Sequence, residues 1–297
     1  MKSERRGRPF NPFKFADKID PNHDAKRHLD GFESEGISRR LNCKGATAIE
    51  AIIEQGHAAA RMLRACADEG ACPCLLLVCL FCMRTYRRWF TDQAIRLARE
   101  FQARFEHRGT VVTIIPAGLK VSAGHLHEIS VPALRLKIWK WIESLELGLP
   151  VIAGIDVSFN FVKDSDEPGH WQVHFAFVVP GHGNDKEAHD RLEERIETIV
   201  PLEPTASTPL MIVPLRNKMR QLSYLQKSQF YYRIRQRKSG RWNTVKHPPA
   251  LAGAHLAEAI LWQQGLPLTG RLVLHGLERR GGRIVATNLR KSTTTRE

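Results

Sequence analysis

The stretch HWQVHFAFVV, residues 170–179, alternates strictly. Trp171, Val173, Phe175, Phe177 and Val179 take one face of a strand, and His170, Gln172, His174 and Ala176 take the other. The segment before it, GIDVSFNF, behaves the same way: Ile155, Val157, Phe159 and Phe161 alternate with Asp156, Ser158 and Asn160. The turn-rich run KDSDEPG joins the two, so they are expected to form an antiparallel pair. If both apolar faces point into one core, both polar faces share the opposite, open side.

The same patterning extends outward. TVVTIIP predicts a strand ending at Pro116, and VPALRLKIWKWIESLELG an amphipathic helix with Leu134, Ile138, Trp141, Ile142 and Leu145 on one face. KEAHDRLEERIETIV predicts a second helix facing inward through Leu192, Ile196 and Ile199, and TPLMIVPL a last strand. Over residues 110–215 the order is β-α-β-β-α-β, the split βαβ arrangement of an α+β, ferredoxin-like antiparallel sheet. Such a sheet buries one face under two helices and leaves the other able to hold a site.

Upstream, a helix is expected over about 47–67 and another in YRRWFTDQAIRLAREFQARFEHRG, with Gly109 at its end. Downstream, QLSYLQKSQFYYRIRQR and ALAGAHLAEAILWQQG read as helices. Four regions result: a basic lead-in over 1–45 with little periodicity, a helical, cysteine-bearing region over 46–108, a core over 109–235, and a C-terminal helical extension with a basic tail over 236–297. RGRP, residues 6–9, reads as part of a basic tail.

Charge narrows the partners. A formal charge of +14 on 297 residues points to a polyanion, most simply nucleic acid. The N-terminal stretch is polar and has no apolar signal core, and no run of about 18 apolar residues occurs, so the chain is expected to be soluble and cytoplasmic, with no membrane partner. The absence of a glycine-rich phosphate loop argues against an ATPase.

Two sets of residues carry candidate chemistry. On the polar strand faces, Asp156, Gln172 and His174 fall on one surface. A carboxylate, an amide oxygen and one imidazole suit magnesium or manganese better than zinc. The alternative is a solvated sheet face. In SYLQK, Tyr224 and Lys227 lie three residues apart, on one side of a helix. A cation one turn from a tyrosine can assist attack on a phosphate and stabilise the charge that develops there.

The second set is CADEGACPCLLLVCLFC. Five of six cysteines fall here, and without a secretory signal such clustering points to metal rather than disulfides. Cys79 and Cys82 form a zinc-knuckle half; Cys66 with Cys72, or Cys72 with Cys74, would complete it. The expected structural zinc set is Cys66, Cys72, Cys79 and Cys82, with buried apolar thiols as the alternative. Just beyond, Arg84, Arg87 and Arg88 lie among aromatic residues and are candidate phosphate contacts.

Taken together over about residues 108–235, the first strand VVTIIP, the histidine-bearing HWQVHFAF and the later YLQK resemble, in order, the three motifs of the HUH endonucleases, most of all the replication initiators of rolling-circle plasmids. The resemblance implies that Tyr224 attacks a phosphodiester at an origin in single-stranded or supercoiled DNA, aided by a divalent metal, leaving a free 3′-hydroxyl and a 5′-phosphotyrosyl link. One departure stands out. The family's metal motif is His-hydrophobic-His, and the matching stretch here is His174-Phe175-Ala176, with Gln172 as the substitute on the same face. His125-Leu126-His127 spells the motif but reads as the exposed lead-in to a helix. The other reading keeps the scaffold and the basic surface, but binds nucleic acid without cutting it.

Overall fold

The computed structural model describes residues 10–18, 34–53, 57–68, 73–163, 165–238, 241–245 and 248–287. RGRP, Cys72 and the extreme C-terminal tail lie outside these residues. Among them are seven α-helices: α1 (Glu35–Glu50), α2 (Ala58–Ala65), α3 (Leu80–Phe105), α4 (Val131–Ser144), α5 (Lys186–Ile199), α6 (Lys218–Tyr224) and α7 (Gly253–Trp262). The strands are β1 (Thr110–Ile114), β2 (Lys120–Ser122), β3 (Val151–Val162), β4 (His170–Val179), β5 (Leu210–Pro214), β6 (Tyr232–Lys238), β7 (Arg241–Thr244), β8 (Leu272–His275), β9 (Leu277–Arg280) and β10 (Arg283–Ala286).

The fold is α+β, built on a mostly antiparallel sheet. The four strands expected from the alternation lie in the order β5-β1-β4-β3, each antiparallel to its neighbours. The sheet does not stop there, so its order as a whole departs from the four-strand pattern. β2 pairs with the start of β4. The outer edge of β3 is shared: β8 takes Val151–Gly154 and β6, in parallel, takes Phe159–Val162. β7 completes that edge as a hairpin with β6.

Local chemistry explains the helices flanking the core. Ser130 caps α4 by accepting from the Ala133 N–H, with Pro132 in the first turn, where its missing N–H costs nothing. Asp185 caps α5 by accepting from the Ala188 N–H at 2.8 Å. Both helices press Leu134, Ile138, Ile142, Leu192 and Ile196 onto the Phe175, Phe177 and Val173 face of the sheet.

The other face is not open. Ile152, Ala176 and Val178 pack into a second core with α1, α2, α3 and the α6 region. That layer differs from the sequence expectation, which placed one helix over about 47–67. Instead α1 begins at Glu35 and a separate α2 follows. The buried residues of α1 are Ser38, Asn42, Gly45, Ala46, Ala48 and Ile49, at helical spacing but all small or polar except Ile49, so no hydrophobic stripe advertises them. Gly45 lets α7 approach, since a Cβ there would lie 2.8 Å from the Ile260 Cδ1.

The helix expected through QLSYLQKSQFYYRIRQR also stops early. α6 ends at Tyr224, and Tyr232 to Lys238 form β6. Tyr232 and Ile234 alternate with Arg233 and Arg235, a period of two that pairing with β3 satisfies. The C-terminal region is not mainly helical; besides α7 it contributes four strands. Gly109, expected at the end of α3, instead lies just before β1 with φ +100°, while Glu106 ends the helix in the left-handed region.

One glycine positions the site. A Cβ on Gly154 would lie 1.8 Å from the Leu225 carbonyl oxygen, so the chain after α6 rests directly on β3 there. Gly154→Ala is expected to cost at least the roughly 1–3 kcal/mol of core overpacking, read by chemical denaturation. Unchanged stability would mean that the 225–228 turn is not seated on the sheet.

Candidate functional site

The polar faces of β3 and β4 meet as the alternation requires. Asp156 stands opposite His174 and Ser158 opposite Gln172. All four are buried. His174 Nε2 lies 2.6 Å from Asp156 Oδ2. The turn after α6, seated on Gly154, delivers Lys227, whose ammonium pairs with the same carboxylate oxygen. The turn still follows the helix, with the Lys227 N–H donating to the Tyr224 carbonyl at 3.2 Å.

Cations gather around this carboxylate. Arg271, 1% exposed, donates from Nη2 to the Lys227 carbonyl at 2.6 Å and from Nη1 to the Ile155 carbonyl at 3.3 Å. It fills the stretch of β3 edge between β8 and β6. Arg87 Nη1 donates to Ser228 Oγ at 2.9 Å, tying α3 to the same turn. Arg233 is close enough to disfavour a charged His174.

The electrostatics follow from burial and these neighbours. Burial pushes the Asp156 carboxyl up, but the Lys227 ammonium and His174 outweigh it and hold the group well below the usual carboxylate range. Burial pushes His174 down more than Asp156 pulls it up, so the imidazole is neutral at pH 7 and Lys227 supplies the countercharge. Burial also pushes Arg271 down to about 10. Asp156 Oδ1, His174 Nδ1 and both amide atoms of Gln226 are buried without a hydrogen-bond partner. Buried polar atoms are rarely left so, which marks this seam as more than packing.

Above the seam the tyrosines are accessible. Tyr224 is 43% exposed and Tyr231 38%. The Lys227 ammonium lies 5.1 Å from the centre of the Tyr224 ring and 5.9 Å from that of Tyr231. Tyr224, Lys227, Asp156 and His174, picked from separate stretches of sequence, are therefore brought together.

Gln172 is not brought into the same arrangement. Its amide nitrogen donates to the Leu119 and Val173 carbonyls, at 3.4 and 3.1 Å. With that amide engaged and Lys227 seated on Asp156, the donor set does not fit magnesium or manganese: an ammonium stands where the ion would meet its carboxylate. His125 and His127 are exposed, and His125 pairs with Glu128 at 2.7 Å. Arg84, Arg87 and Arg88 are half-buried on α3, so they do not form an exposed phosphate-contacting row. The contribution of Arg271 was not legible in the sequence; it comes from a turn 44 residues beyond Lys227.

The cysteine cluster forms a second centre. Cys66 ends α2, Cys79 caps α3, Cys82 lies in its first turn, and Cys74 sits in the loop between. Their sulfur atoms all lie within 4.8 Å of one another, with Cys66–Cys82 and Cys74–Cys82 at 3.7 Å and Cys66–Cys79 at 3.4 Å. Four sulfurs held about 2.3 Å from one tetrahedral ion would be spaced by about 3.8 Å. Asn42 of α1 donates to Cys79 Sγ at 3.2 Å and accepts from the Leu80 N–H at 2.8 Å, an outer contact of the kind that orients a ligand. Among the described residues the fourth member is Cys74; Cys72, the other expected member, lies outside the described residues. The described cysteines form no disulfide, and Cys43 is exposed.

Compared with known proteins, the chain matches no family model, no curated sequence and no solved structure. Among the described residues no helix is long and apolar enough to cross a membrane.

Proposed function

We propose that this chain is a DNA strand transferase in which Tyr224 is the nucleophile, built on a ferredoxin-like unit of β1, α4, β3, β4, α5 and β5 and braced by a structural zinc on Cys66, Cys74, Cys79 and Cys82. The observation that carries the reading is the placement of the Lys227 ammonium. It is anchored on the buried Asp156–His174 pair and lies beneath two accessible tyrosine rings. A fixed cation at that point can stabilise the charge that builds on a phosphate under attack, because it need not reorganise during the reaction. The Tyr224 oxygen would bond to phosphorus as the bond to the 3′-oxygen breaks. The phenolic proton would pass through water to that leaving oxygen. The products are a 5′-phosphotyrosyl link and a free 3′-hydroxyl that could prime synthesis at an origin. Asp156 and His174 act as positioning residues for Lys227, and no step passes through magnesium or manganese.

The test is a covalent adduct between the chain and single-stranded or supercoiled DNA, resolved on a denaturing gel with and without manganese. An adduct is expected from the native chain, lost in Tyr224→Phe and reduced by roughly 100-fold or more in Lys227→Met, in line with loss of one preorganised charge-stabilising group. Loss only in Tyr231→Phe moves the nucleophile to the neighbouring tyrosine. One observation favours a second reading, DNA binding without cutting: the ammonium seated on Asp156 closes the carboxylate that the strand alternation offered to a divalent metal. Salt-sensitive binding with no adduct under either condition would establish it.

A further inference from the structure

The face of β3 that carries Phe159 and Phe161 emerges from under the helices at its far end, into a pocket with about 560 Å³ of open volume. That lies within the range of small-ligand sites, roughly 300–1,000 Å³. Its walls are aromatic. Phe159 is buried and stacks on His255 of α7, ring centres 3.7 Å apart and planes at 27°. Tyr232 of β6 meets Phe159 and Phe161 edge-on, at 84° and 86°. The Tyr232 hydroxyl lies 3.2 Å from His255 Nδ1, which sets both rings. Burial pushes His255 down, so it presents a neutral ring at pH 7.

The remaining boundary is polar. Ser122 and the loop bearing Ser165 and Glu167 close the opposite side. Phe161, only half-buried, lines the pocket. Lys163, one residue past β3 and in step with Phe159 and Phe161, is exposed. An aromatic floor, a carboxylate wall and a cation nearby match the three parts of a nucleotide in an unpaired strand: a flat base, its N–H edge and its phosphate.

We propose that this pocket holds one unpaired base of single-stranded nucleic acid, stacked on Phe161, with guanine preferred because its N1–H and amino group can both donate to the Glu167 carboxylate. The site lies on the opposite face of the sheet from Asp156 and His174. It rests on the nucleic-acid part of the function proposed above and is independent of strand cutting.

The experiment uses the full chain and short oligothymidylates carrying one central guanine, adenine or cytosine, or none, with binding followed by fluorescence anisotropy. A parallel probe carries 2-aminopurine at the centre, whose fluorescence is quenched on stacking. The guanine oligonucleotide is expected to bind about 10-fold more tightly than plain oligothymidylate, the discrimination of one good bidentate contact. Glu167→Gln, on an exposed loop, should abolish that preference and leave phosphate-driven binding intact. Phe161→Leu should abolish the quench, and Tyr224→Phe should change neither. Equal binding of all four oligonucleotides, indifferent to Phe161→Leu, with the Tyr224 adduct still formed, would overturn the pocket and leave strand cutting standing. No binding of any oligonucleotide at low salt would overturn both.

Discussion

The purified chain is expected to carry one zinc per molecule, and stripping it should collapse the helical layer that α1, α2 and α3 form over the sheet. Cys66, Cys74, Cys79 and Cys82 come from the end of one helix, a loop and the start of another. Without the ion, three buried sulfurs and the half-buried one of Cys74 have only weak S–H contacts, at 3.4–3.7 Å, to hold them together. A structural zinc contributes apparent binding energies of about 10–16 kcal/mol in isolated fingers. Here much of the surrounding core persists without it, so a loss of several kcal/mol is expected, large enough to unfold the layer. Metal analysis of the protein, then thermal melting with and without a strong chelator, reads this directly. Cys82→Ser should lose the zinc and melt like the stripped chain, whereas Cys43→Ser, at an exposed cysteine outside the cluster, should do neither. Release should also follow acidification, because protons compete for the thiolates. A metal-free preparation whose melting ignores the chelator would assign the four thiols to the apolar core instead.

Asp156→Asn is expected to cost about 3–5 kcal/mol, because it removes the carboxylate facing Lys227 and leaves Lys227 and Arg271 buried without it. Lys227→Met in the same background should recover part of that loss, since apolar replacement of a buried ion pair is often close to neutral. The pair of measurements separates structural damage from catalytic loss: the double variant refolds the seam yet still forms no adduct.

Acid stability carries the same signature. Asp156 is held low in the folded chain, so its contribution is present above the unfolded carboxylate value of about 3.9 and is lost as pH falls through the folded value. His174 is also held low, in its case by burial. Its contribution is present above about pH 6.5 and drains as pH falls below that. Both terms act in one direction, so stability should decline on acidification from just below neutrality. His174→Gln should flatten the slope just below about pH 6.5. A slope unchanged by that substitution would place the titrating group elsewhere.

What could be read from the chain alone was whatever repeats with the period of its own element. β3 and β4 announce themselves because Ile155, Val157 and Phe159 alternate with Asp156 and Ser158, and Trp171, Val173 and Phe175 with Gln172 and His174. α4 and α5 announce themselves through apolar stripes one turn apart. The cross-strand meeting of Asp156 with His174 follows from those alternations, and the cysteine spacing pointed to a cluster that could hold a metal. Elements without such a signal were missed. α1 packs through Ser38, Asn42, Gly45 and Ala46, which a hydrophobic pattern does not register. β6 hid behind a helical reading of Tyr224 and Lys227, although Arg233 and Arg235 alternate with Tyr232 and Ile234.

Only the tertiary structure decided what happens to the polar face. Alternation assigns residues to a side of a sheet but does not say whether water or another layer lies there. Here α1, α2, α3 and the turn on Gly154 cover it, and burial turns a row suited to a hydrated cation into a desolvated ion-pair seam. The same kind of approach gathers Cys74 with Cys66, Cys79 and Cys82 and brings Arg271 to the Lys227 carbonyl, because long-range contact depends on chain paths that no local period encodes.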